Sequence, residues 1–393
     1  MPNLDQRHLG SYYEVPPSRA NILVKSQILF THQLKTAKND KWKQPIDWRE
    51  KKISSVLDQL NCGDCWALSS TAALTDRFII QKGLTDLRLE PAVTSQCVKS
   101  TYNVGCQGGF PGDAGQYFEE FGLPEISSLC PPWKKLCNVE SCILPTCEKI
   151  NEECKNPNVF YKAIKGSTRT LSVKNSDGSL NKQETIDHMK KELQNGPFVC
   201  SFYVPIDFIV AASLKYFWTS TNGVYINGSY DDDMDKIASP RIKNSFGIAS
   251  KDDWSKIAID ENGQKPAHAV EVVGWGIDNI NQLGNVEYWI VKNSWSTKWG
   301  DDGYFKIAMN SNDSNFNSSL AFDIPLLENS QYFGGATVFD PDLSSGRETP
   351  QTPVFDNKNN KTKPKSKRRG LIILLCLLII LIILISIIIY KNR

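Results

Sequence analysis

The stretch that decides the fold is residues 59–68, Gln-Leu-Asn-Cys-Gly-Asp-Cys-Trp-Ala-Leu. Its second cysteine, Cys65, comes directly before Ala67–Ile80, where apolar residues follow a helical spacing that ends near Gly83. A thiol at a helix N-terminus lies at the positive end of the helix dipole, which lowers its pKa below the free value of about 8.5. A cysteine nucleophile needs such a stabilised thiolate. We therefore predict that Cys65 is a nucleophile.

Cys62 and Cys65 also form a Cys-x-x-Cys pair, which is typical of redox and zinc sites. A thioredoxin-type pair would follow a strand inside a βαβ pattern, and the surrounding sequence does not have that pattern. Zinc sites usually repeat such pairs with histidine nearby. The histidines of the chain are His8, His32, His188 and His268, none of them near the cysteine cluster. We therefore expect no metal and no cofactor.

Ten of the eleven cysteines lie between Cys62 and Cys200, and six of those lie between Cys106 and Cys154. Dense cysteines in a loop-rich stretch favour disulfides, and disulfides indicate an oxidising compartment.

The base for Cys65 is predicted to be His268, which begins the strand-like run His-Ala-Val-Glu-Val-Val-Gly-Trp-Gly. A strand holds an imidazole ring rigidly, as a catalytic base requires. His8 and His32 lie in a polar leader, and His188 lies in a charged, helix-like stretch that indicates a solvated surface residue. A third element, residues 288–304, contains Asn293, whose side-chain carbonyl is suited to orient an imidazole, and Trp295, which is suited to shield that hydrogen bond from water.

The first half of the region 45–327 is helix-like, and its second half contains short strand-like runs at 269–274, 288–293 and 304–308. This order predicts an α+β fold with two lobes. Residues 1–44 are polar, lack the apolar core of a secretory signal, and are predicted to be a leader or short pro-segment. A formal net charge of +2 argues against nucleic acid as a partner.

The C-terminal part of the chain divides into three segments by composition. Residues 328–369 are rich in Ser, Pro, Asn and Lys and are predicted to be a disordered stalk. Residues 370–390 follow, and the 20 residues Leu371–Tyr390 carry no charge. At about 1.5 Å per residue such a helix spans about 30 Å, the thickness of a bilayer core. The sequence therefore predicts one transmembrane helix, followed by the short tail 391–393.

The orientation of this predicted anchor is supported by one feature and opposed by another. Seven Lys and Arg residues precede it between Lys358 and Arg369, which favours a catalytic domain on the cytosolic side. The cysteines favour an oxidising compartment instead. The Asn-x-Ser/Thr sequons, which would carry glycan on the lumenal side, begin at Asn227, Asn312, Asn317 and Asn360. We expect a single-pass C-terminal anchor with the catalytic domain on the cytosolic side.

Five motifs in this order resemble the papain family of cysteine proteases over roughly residues 45–327. They are Gln-x-x-Cys-Gly-x-Cys-Trp-Ala, Gly-Cys-Gln-Gly-Gly at 105–109, Asn-Gly-Pro at 195–197, His-Ala-Val…Gly-Trp-Gly, and Asn-Ser-Trp…Trp-Gly-x-x-Gly-Tyr. The cysteine-rich segment at 130–154 makes the chain most similar to the cathepsin B and cathepsin X branches. The resemblance implies a helical left lobe, a β-barrel-like right lobe and a catalytic cleft between them.

Carried over residue by residue, the resemblance implies four catalytic roles. Cys65 attacks the scissile carbonyl, and His268 pairs with it and protonates the leaving amine. Asn293 orients His268, while the Gln59 side chain and the Cys65 backbone N–H form the oxyanion hole.

The resemblance also assigns substrate binding to Gly108, Gly109, Ala269 and Trp295. The two glycines let a substrate backbone approach closely and pair as an added strand. Cys62 is implied to bridge to Cys106. Six further cysteines then allow fifteen pairings, and Cys200 is left over.

Two departures from these branches bear on specificity. In the cathepsin B branch a His pair on a long loop captures the substrate C-terminus, but residues 106–187 contain no His. In the cathepsin X branch a His-bearing insertion precedes the nucleophile, and nothing is inserted between Gln59 and Cys65. We therefore predict an endopeptidase with an open cleft that acts on protein or peptide substrates.

Two other segments give weaker predictions. The long stretch between Tyr225 and His268 is either a surface loop or a flap beside the site. The resemblance places the bottom of the main specificity pocket near Asn317–Leu320, where the sequence has no clear carboxylate, and this favours an apolar substrate residue at the P2 position. The alternatives to an active protease are an inactive papain-fold binding module at a membrane surface and a redox or zinc protein built on Cys62 and Cys65.

Overall fold

The computed structural model describes residues 40–99, 105–127, 130–154, 160–309 and 336–346, apart from short gaps within 130–154 and 160–309. The helices are α1 (Cys65–Lys82), α2 (Pro91–Cys97), α3 (Pro111–Glu120), α4 (Cys147–Glu153), α5 (Lys182–Glu192), α6 (Ile206–Leu214), α7 (Asp231–Ile237) and α8 (Pro240–Phe246). The strands are β1 (Ile46–Asp47), β2 (Leu123–Pro124), β3 (Leu136–Cys137), β4 (Cys142–Ile143), β5 (Phe160–Tyr161), β6 (Arg169–Thr170), β7 (Phe198–Tyr203), β8 (Val224–Tyr225), β9 (Ala267–Ile280), β10 (Gly284–Lys292), β11 (Tyr304–Ala308) and β12 (Ala336–Val338).

Helix α1 forms the centre of the first lobe. Its first fifteen residues, Cys65 to Ile79, are all buried, and it ends at Gly83 in the left-handed conformation with φ 68°. Glycine adopts that conformation without the steric cost of a Cβ atom, so it ends the helix cleanly. The helix predicted at Ala67–Ile80 is therefore confirmed, with two more residues at each end.

The second lobe is built on a mainly antiparallel sheet with the order β6-β12-β7-β9-β10-β11-β8, and β1 pairs with β9. The first ten residues of β9, Ala267 to Gly276, are buried on both faces of the sheet. Strands β9 and β10 form a hairpin, and β11 pairs with β10 with Lys292 opposite Tyr304. The three strand-like runs of the sequence are thus confirmed as β9, β10 and β11.

Strands β7 and β9 separate two hydrophobic cores. Val199 and Ala269 point into the core around α1, whereas Cys200 and Val270 point into the core of the second lobe. The side chains of a strand alternate between its faces, so one pair of strands supplies both cores. This arrangement places the start of β9, where His268 lies, against the helix that begins at Cys65.

Among the described cysteines, four disulfides join Cys62 to Cys106, Cys97 to Cys147, Cys130 to Cys154 and Cys137 to Cys142. The first is the pair that the family resemblance implies. Two of the others close the segment 130–154, which we call the arm, and one ties it to α2. Cys65 and Cys200 remain thiols.

The C-terminal boundary that we predicted for the folded domain is wrong. The stalk was expected to cover 328–369, but β12 pairs with β6 and β7, and Phe339 is buried in the helical-lobe core. Residues 336–339 are mostly apolar, but the residues around them are polar. The average composition of 328–369 is therefore that of a stalk, and the sequence alone places the strand there. At the other end, a 3₁₀ turn at Asp40–Lys43 packs on α5, with Lys191 over the Trp42 ring.

The stretch between Tyr225 and His268 is folded, so the surface-loop interpretation is wrong for its described residues. It contains α7, α8 and a 3₁₀ turn at Lys251–Asp253. Met234 and Trp254 are fully buried in the core of the second lobe, and the Trp254 carbonyl accepts a hydrogen bond from the Asp207 N–H at 2.9 Å. We call residues 231–258 the insert.

The prediction that His188 is a solvated surface residue is also wrong. His188 lies on α5 and is only 8% exposed. With Thr185, Met189 and Glu192 it forms one buried face of that helix, at the spacing that places side chains on a single side. Burial, the main cause, lowers the pKa of His188.

The predicted leader up to residue 39, the span at 370–390 and the pocket residues Asn317–Leu320 lie outside the described residues. Within the part of the chain that is described, no helix has the length and apolar character needed to cross a membrane.

Candidate active site

Cys65 opens α1 at the point where the helical lobe meets the sheet. Its side chain is fully buried, and its sulfur accepts a hydrogen bond from the Ala269 N–H at 3.4 Å. The Asp64 carbonyl accepts hydrogen bonds from the Ala67 and Leu68 N–H groups, which starts the helix one residue before the thiol. The sulfur therefore lies at the positive end of α1 and beside β9.

His268 lies next to Ala269 on β9, opposite Phe202 on β7. Its Nε2 atom is 2.7 Å from Oδ1 of Asn293, which follows the end of β10. Because Asn293 Oδ1 can only accept, His268 Nε2 must carry the proton, which leaves Nδ1 to exchange a proton with a thiol. Both side chains are buried.

The Trp295 indole covers the His268 ring, with ring centroids 4.7 Å apart and an angle of 24° between the planes. An indole face shields the hydrogen bond between His268 and Asn293 from water, and it also attracts a protonated imidazole.

Gln59 is held at three points. Its N–H donates to the Ser294 carbonyl at 2.8 Å, its Oε1 accepts from the Ser294 hydroxyl at 2.6 Å, and its Nε2 donates to the Cys62 carbonyl at 2.9 Å. The two side-chain hydrogen bonds, one to each end of the amide, fix the plane of the Gln59 side chain. The Ser294 N–H also donates to Asn293 Oδ1 at 2.8 Å, which connects Gln59 to the histidine partner.

Gly108 and Gly109 lie in a buried segment that is bonded to the turn 59–65, which precedes the Cys65 helix. The Gly63 N–H donates to the Cys106 carbonyl at 2.8 Å, and the disulfide between Cys62 and Cys106 reinforces this contact. Gly108 has φ 120°, a conformation that residues with a Cβ rarely adopt. A residue with a Cβ atom would therefore be strained at position 108.

A buried charge cluster lies behind the site and joins the three elements that carry Cys65, His268 and Asn293. Lys292 of β10 is 2.8 Å from Asp76 of α1 and 3.1 Å from Glu271 of β9. One ammonium cannot balance two buried carboxylates. Burial, followed by the nearby Asp76 charge, raises the pKa of Glu271 well above its usual range.

The structure thus brings Cys65, His268, Asn293, Gln59, Ala269 and Trp295 together at one junction between the lobes. Sequence reasoning missed two contacts: the Ser294 hydroxyl with Gln59 Oε1 at 2.6 Å, and the Lys135 ammonium with the Asp64 carboxylate at 2.7 Å. Ser294 lies inside a motif that was noted only for its neighbours. Lys135 lies in the arm, where nothing in the sequence pattern marks it.

The site and fold define a papain-type thiol protease, and comparison with known families agrees. The model of the papain family cysteine proteases matches residues 42–235 and 245–324. The chain belongs to the papain family of cysteine proteases.

Curated relatives include cathepsins of several kinds. A cathepsin Z of Onchocerca volvulus is 31% identical over 278 residues, which cover 67% of this chain and 70% of the relative. A cathepsin B-like cysteine proteinase 2 of Haemonchus contortus is 26% identical over 290 residues, covering 70% of each chain. Among solved structures, a procathepsin B of Trypanosoma congolense has a TM-score of 0.49 and 23% identity, covering 86% of this chain and 87% of that one.

Proposed function

We propose that this chain is an active, membrane-anchored cysteine endopeptidase that uses Cys65 as nucleophile and His268 as base and acid. The observation that carries the proposal is the 2.7 Å hydrogen bond between His268 Nε2 and Asn293 Oδ1, formed beside the Cys65 helix and under the Trp295 ring. This bond fixes the tautomer and orientation that proton exchange with a thiol requires.

In the proposed reaction the Cys65 thiolate attacks the scissile carbonyl carbon, and a carbon–sulfur bond forms as the carbonyl becomes an oxyanion. The oxyanion collapses, the carbon–nitrogen bond breaks, and protonated His268 gives its proton to the leaving amine. His268 then takes a proton from water, whose oxygen attacks the thioester. Collapse of this second intermediate frees the carboxyl product and restores Cys65.

The oxyanion hole is proposed to consist of the Gln59 Nε2–H and the Cys65 backbone N–H. Ser294 and the Cys62 carbonyl hold the Gln59 amide from both sides, so the donor is fixed before substrate arrives. A donor fixed in advance stabilises developing charge without reorganisation, and losing one typically costs about 10²–10³ in kcat.

Endopeptidase specificity is proposed from the absence of a histidine pair. In the cathepsin B branch such a pair on a long loop captures the substrate C-terminus, and residues 106–187 of this chain contain no His. Peptides blocked at both ends and cleaved internally should therefore be turned over. An enzyme that removes only terminal residues would contradict this assignment.

Membrane anchoring through 370–390 is proposed from the uncharged run Leu371–Tyr390 alone. The catalytic domain is proposed to face the cytosolic side because of the basic residues that precede the run. The test is extraction of expressing cells with alkaline carbonate: the full chain should stay with the membranes, and a chain without 370–390 should be released. Protease treatment of sealed membranes then reports the side, because a cytosolic domain is digested without detergent.

The activity is tested by treating the full chain with an epoxide that traps papain-type thiolates, followed by mass mapping of the adduct. We expect the adduct on Cys65 and its loss in Cys65→Ser. An unlabelled wild-type chain, also after removal of residues 1–39, would reject the protease proposal and favour a binding module with the same fold.

A further inference from the structure

The turn from Gln59 to Cys65 has a buried carboxylate next to the nucleophile. Asp64 immediately precedes Cys65, and its side chain is completely buried. Burial raises the pKa of the Asp64 carboxyl, and the nearby Lys135 ammonium opposes that rise. A buried carboxylate without a partner costs several kcal/mol, so this position requires a cation.

That cation comes from the arm, 71 residues further along the chain. Lys135 Nζ lies 2.7 Å from Asp64 Oδ1 and 3.3 Å from the Gln59 carbonyl oxygen, and its side chain is only 12% exposed. One ammonium therefore bridges the first residue of the turn and the residue before the nucleophile. Gln59 and Cys65, the residue after Asp64, carry the two donors of the proposed oxyanion hole.

The arm is built to hold Lys135 in place. The Trp133 N–H donates to Glu90 Oε2 at 3.2 Å, and Glu90 Oε1 accepts from the Ala92 N–H at the start of α2. On the other side of Lys135, Leu136 and Cys137 form a short hairpin with β4 that the Cys137–Cys142 disulfide closes. The lysine is thus fixed between two anchored points.

We infer that Lys135 is a positioning residue for catalysis: its ammonium fixes the turn 59–65, and with it the oxyanion hole, by binding Asp64 and the Gln59 carbonyl together. The inference rests on the proposed function, since it assigns Lys135 a role in that same site. Lys135 touches no reacting atom and acts through Gln59 and the turn.

The test compares kinetic constants of full-length variants on an internally cleaved, end-blocked peptide. Lys135→Met alone leaves a buried, unpaired carboxylate and can prevent folding, so the main variant is Asp64→Asn with Lys135→Met, which keeps the shapes and removes both charges. We expect the double variant to fold with a Tm near wild type. We expect its kcat to fall about tenfold while KM stays within about twofold, as for a contact that acts in the transition state.

Lys99→Met is the matched control. Lys99 forms another ion pair between the arm and the rest of the helical lobe, with its Nζ 3.4 Å from Glu148 on α4, but this pair is exposed and does not contact the turn 59–65. Its kcat and KM should equal those of the wild type. A double variant with wild-type kcat, or with the same constants as Lys99→Met, would overturn the inference. A wild type no faster than Cys65→Ser would instead reject the proposed function, and the inference with it.

Discussion

The Trp295 indole stacks on the His268 imidazole with ring centroids 4.7 Å apart, over the hydrogen bond that His268 makes with Asn293. This single ring separates the hydrogen bond from water and offers its π-face to the imidazolium that the reaction needs. The position of His268 therefore depends on a residue that need not take part in any bond-making step.

Replacing Trp295 with Ala should lower kcat by about tenfold, because water then competes for the bond between His268 and Asn293. Trp295→Phe retains an aromatic face and should stay within about threefold of wild type. Steady-state kinetics on an end-blocked peptide check both variants. Equal losses for Ala and Phe would show that the indole N–H or the ring size matters, and not the aromatic cover.

Ser294→Ala should lower kcat by about tenfold with little change in KM, because the Gln59 amide loses the hydroxyl that fixes its Oε1. Gln59→Ala removes the donor itself and should cost about 10²–10³ in kcat. Thr297→Ala, an exposed position in the same loop, serves as the control and should leave both constants unchanged. A Ser294→Ala enzyme with wild-type kcat would mean that the Cys62 carbonyl alone orients Gln59.

Glu90 should make the folded state less stable as pH rises towards neutrality. Burial raises the pKa of Glu90 from 4.5 to about 7, so the folded protein binds this proton more tightly than the unfolded chain does. The stabilisation is complete below about 4.5, declines as pH rises, and is lost above about 7; its upper limit is roughly 3 kcal/mol.

The measurement for Glu90 is the free energy of unfolding against pH for wild type and Glu90→Gln. Glutamine does not titrate, so the wild-type curve should fall more steeply between pH 4.5 and about 7. Parallel curves over that interval would show that Glu90 does not hold its proton in the folded state.

The buried cluster behind the site should respond unequally to neutral replacements. Lys292→Met leaves the Asp76 carboxylate without its ammonium and should cost about 3–5 kcal/mol of stability. Glu271→Gln should cost less than about 1 kcal/mol, because burial raises the pKa of that carboxyl and so favours its neutral form, which an amide matches in size and charge. Denaturant unfolding of the two variants checks this order, and similar losses would mean that Glu271 is ionised.

The insert should behave as part of the core. Trp254 is fully buried, so Trp254→Ala should destabilise the domain by about 3–5 kcal/mol. Ile259→Ala is the control, since Ile259 is 57% exposed and its loss should cost less than about 0.5 kcal/mol. A Trp254→Ala protein as stable as the control would show that the insert does not contribute to the core.

The central helix and the hairpin strands were predictable because local signals carry them. The apolar period of α1 and its glycine stop are contained within 19 residues, Cys65 to Gly83, and the β-branched runs of β9 and β10 have clear polar boundaries. The residues that chemistry singles out, Cys65 and His268, lie at the starts of these elements.

The features that were missed depend on contacts between distant parts of the chain. Strand β12 has three residues and acquires its strand character only by pairing with β6 and β7. Lys135 is one of many lysines in the sequence, and it differs from them only because the disulfides fold the arm back onto Asp64. A contact between two residues that are 71 positions apart in the chain leaves no local sequence pattern.

The placement of β12 also limits where the chain can be cut to separate this domain from the proposed membrane anchor. Beyond this strand, Asp340 pairs with Arg77 and Arg169, the Ser345 carbonyl accepts from Lys82 at 2.6 Å, and the Gly346 N–H donates to the Phe160 carbonyl at 2.9 Å. A cut before β12 would remove an inner strand of the sheet and leave Arg77 and Arg169 to share the single carboxylate of Glu192. A cut after Gly346 would release a body whose sheet and ion pairs are intact. If the proposed anchor holds, a cut that releases the domain with its sheet complete must therefore fall after Gly346.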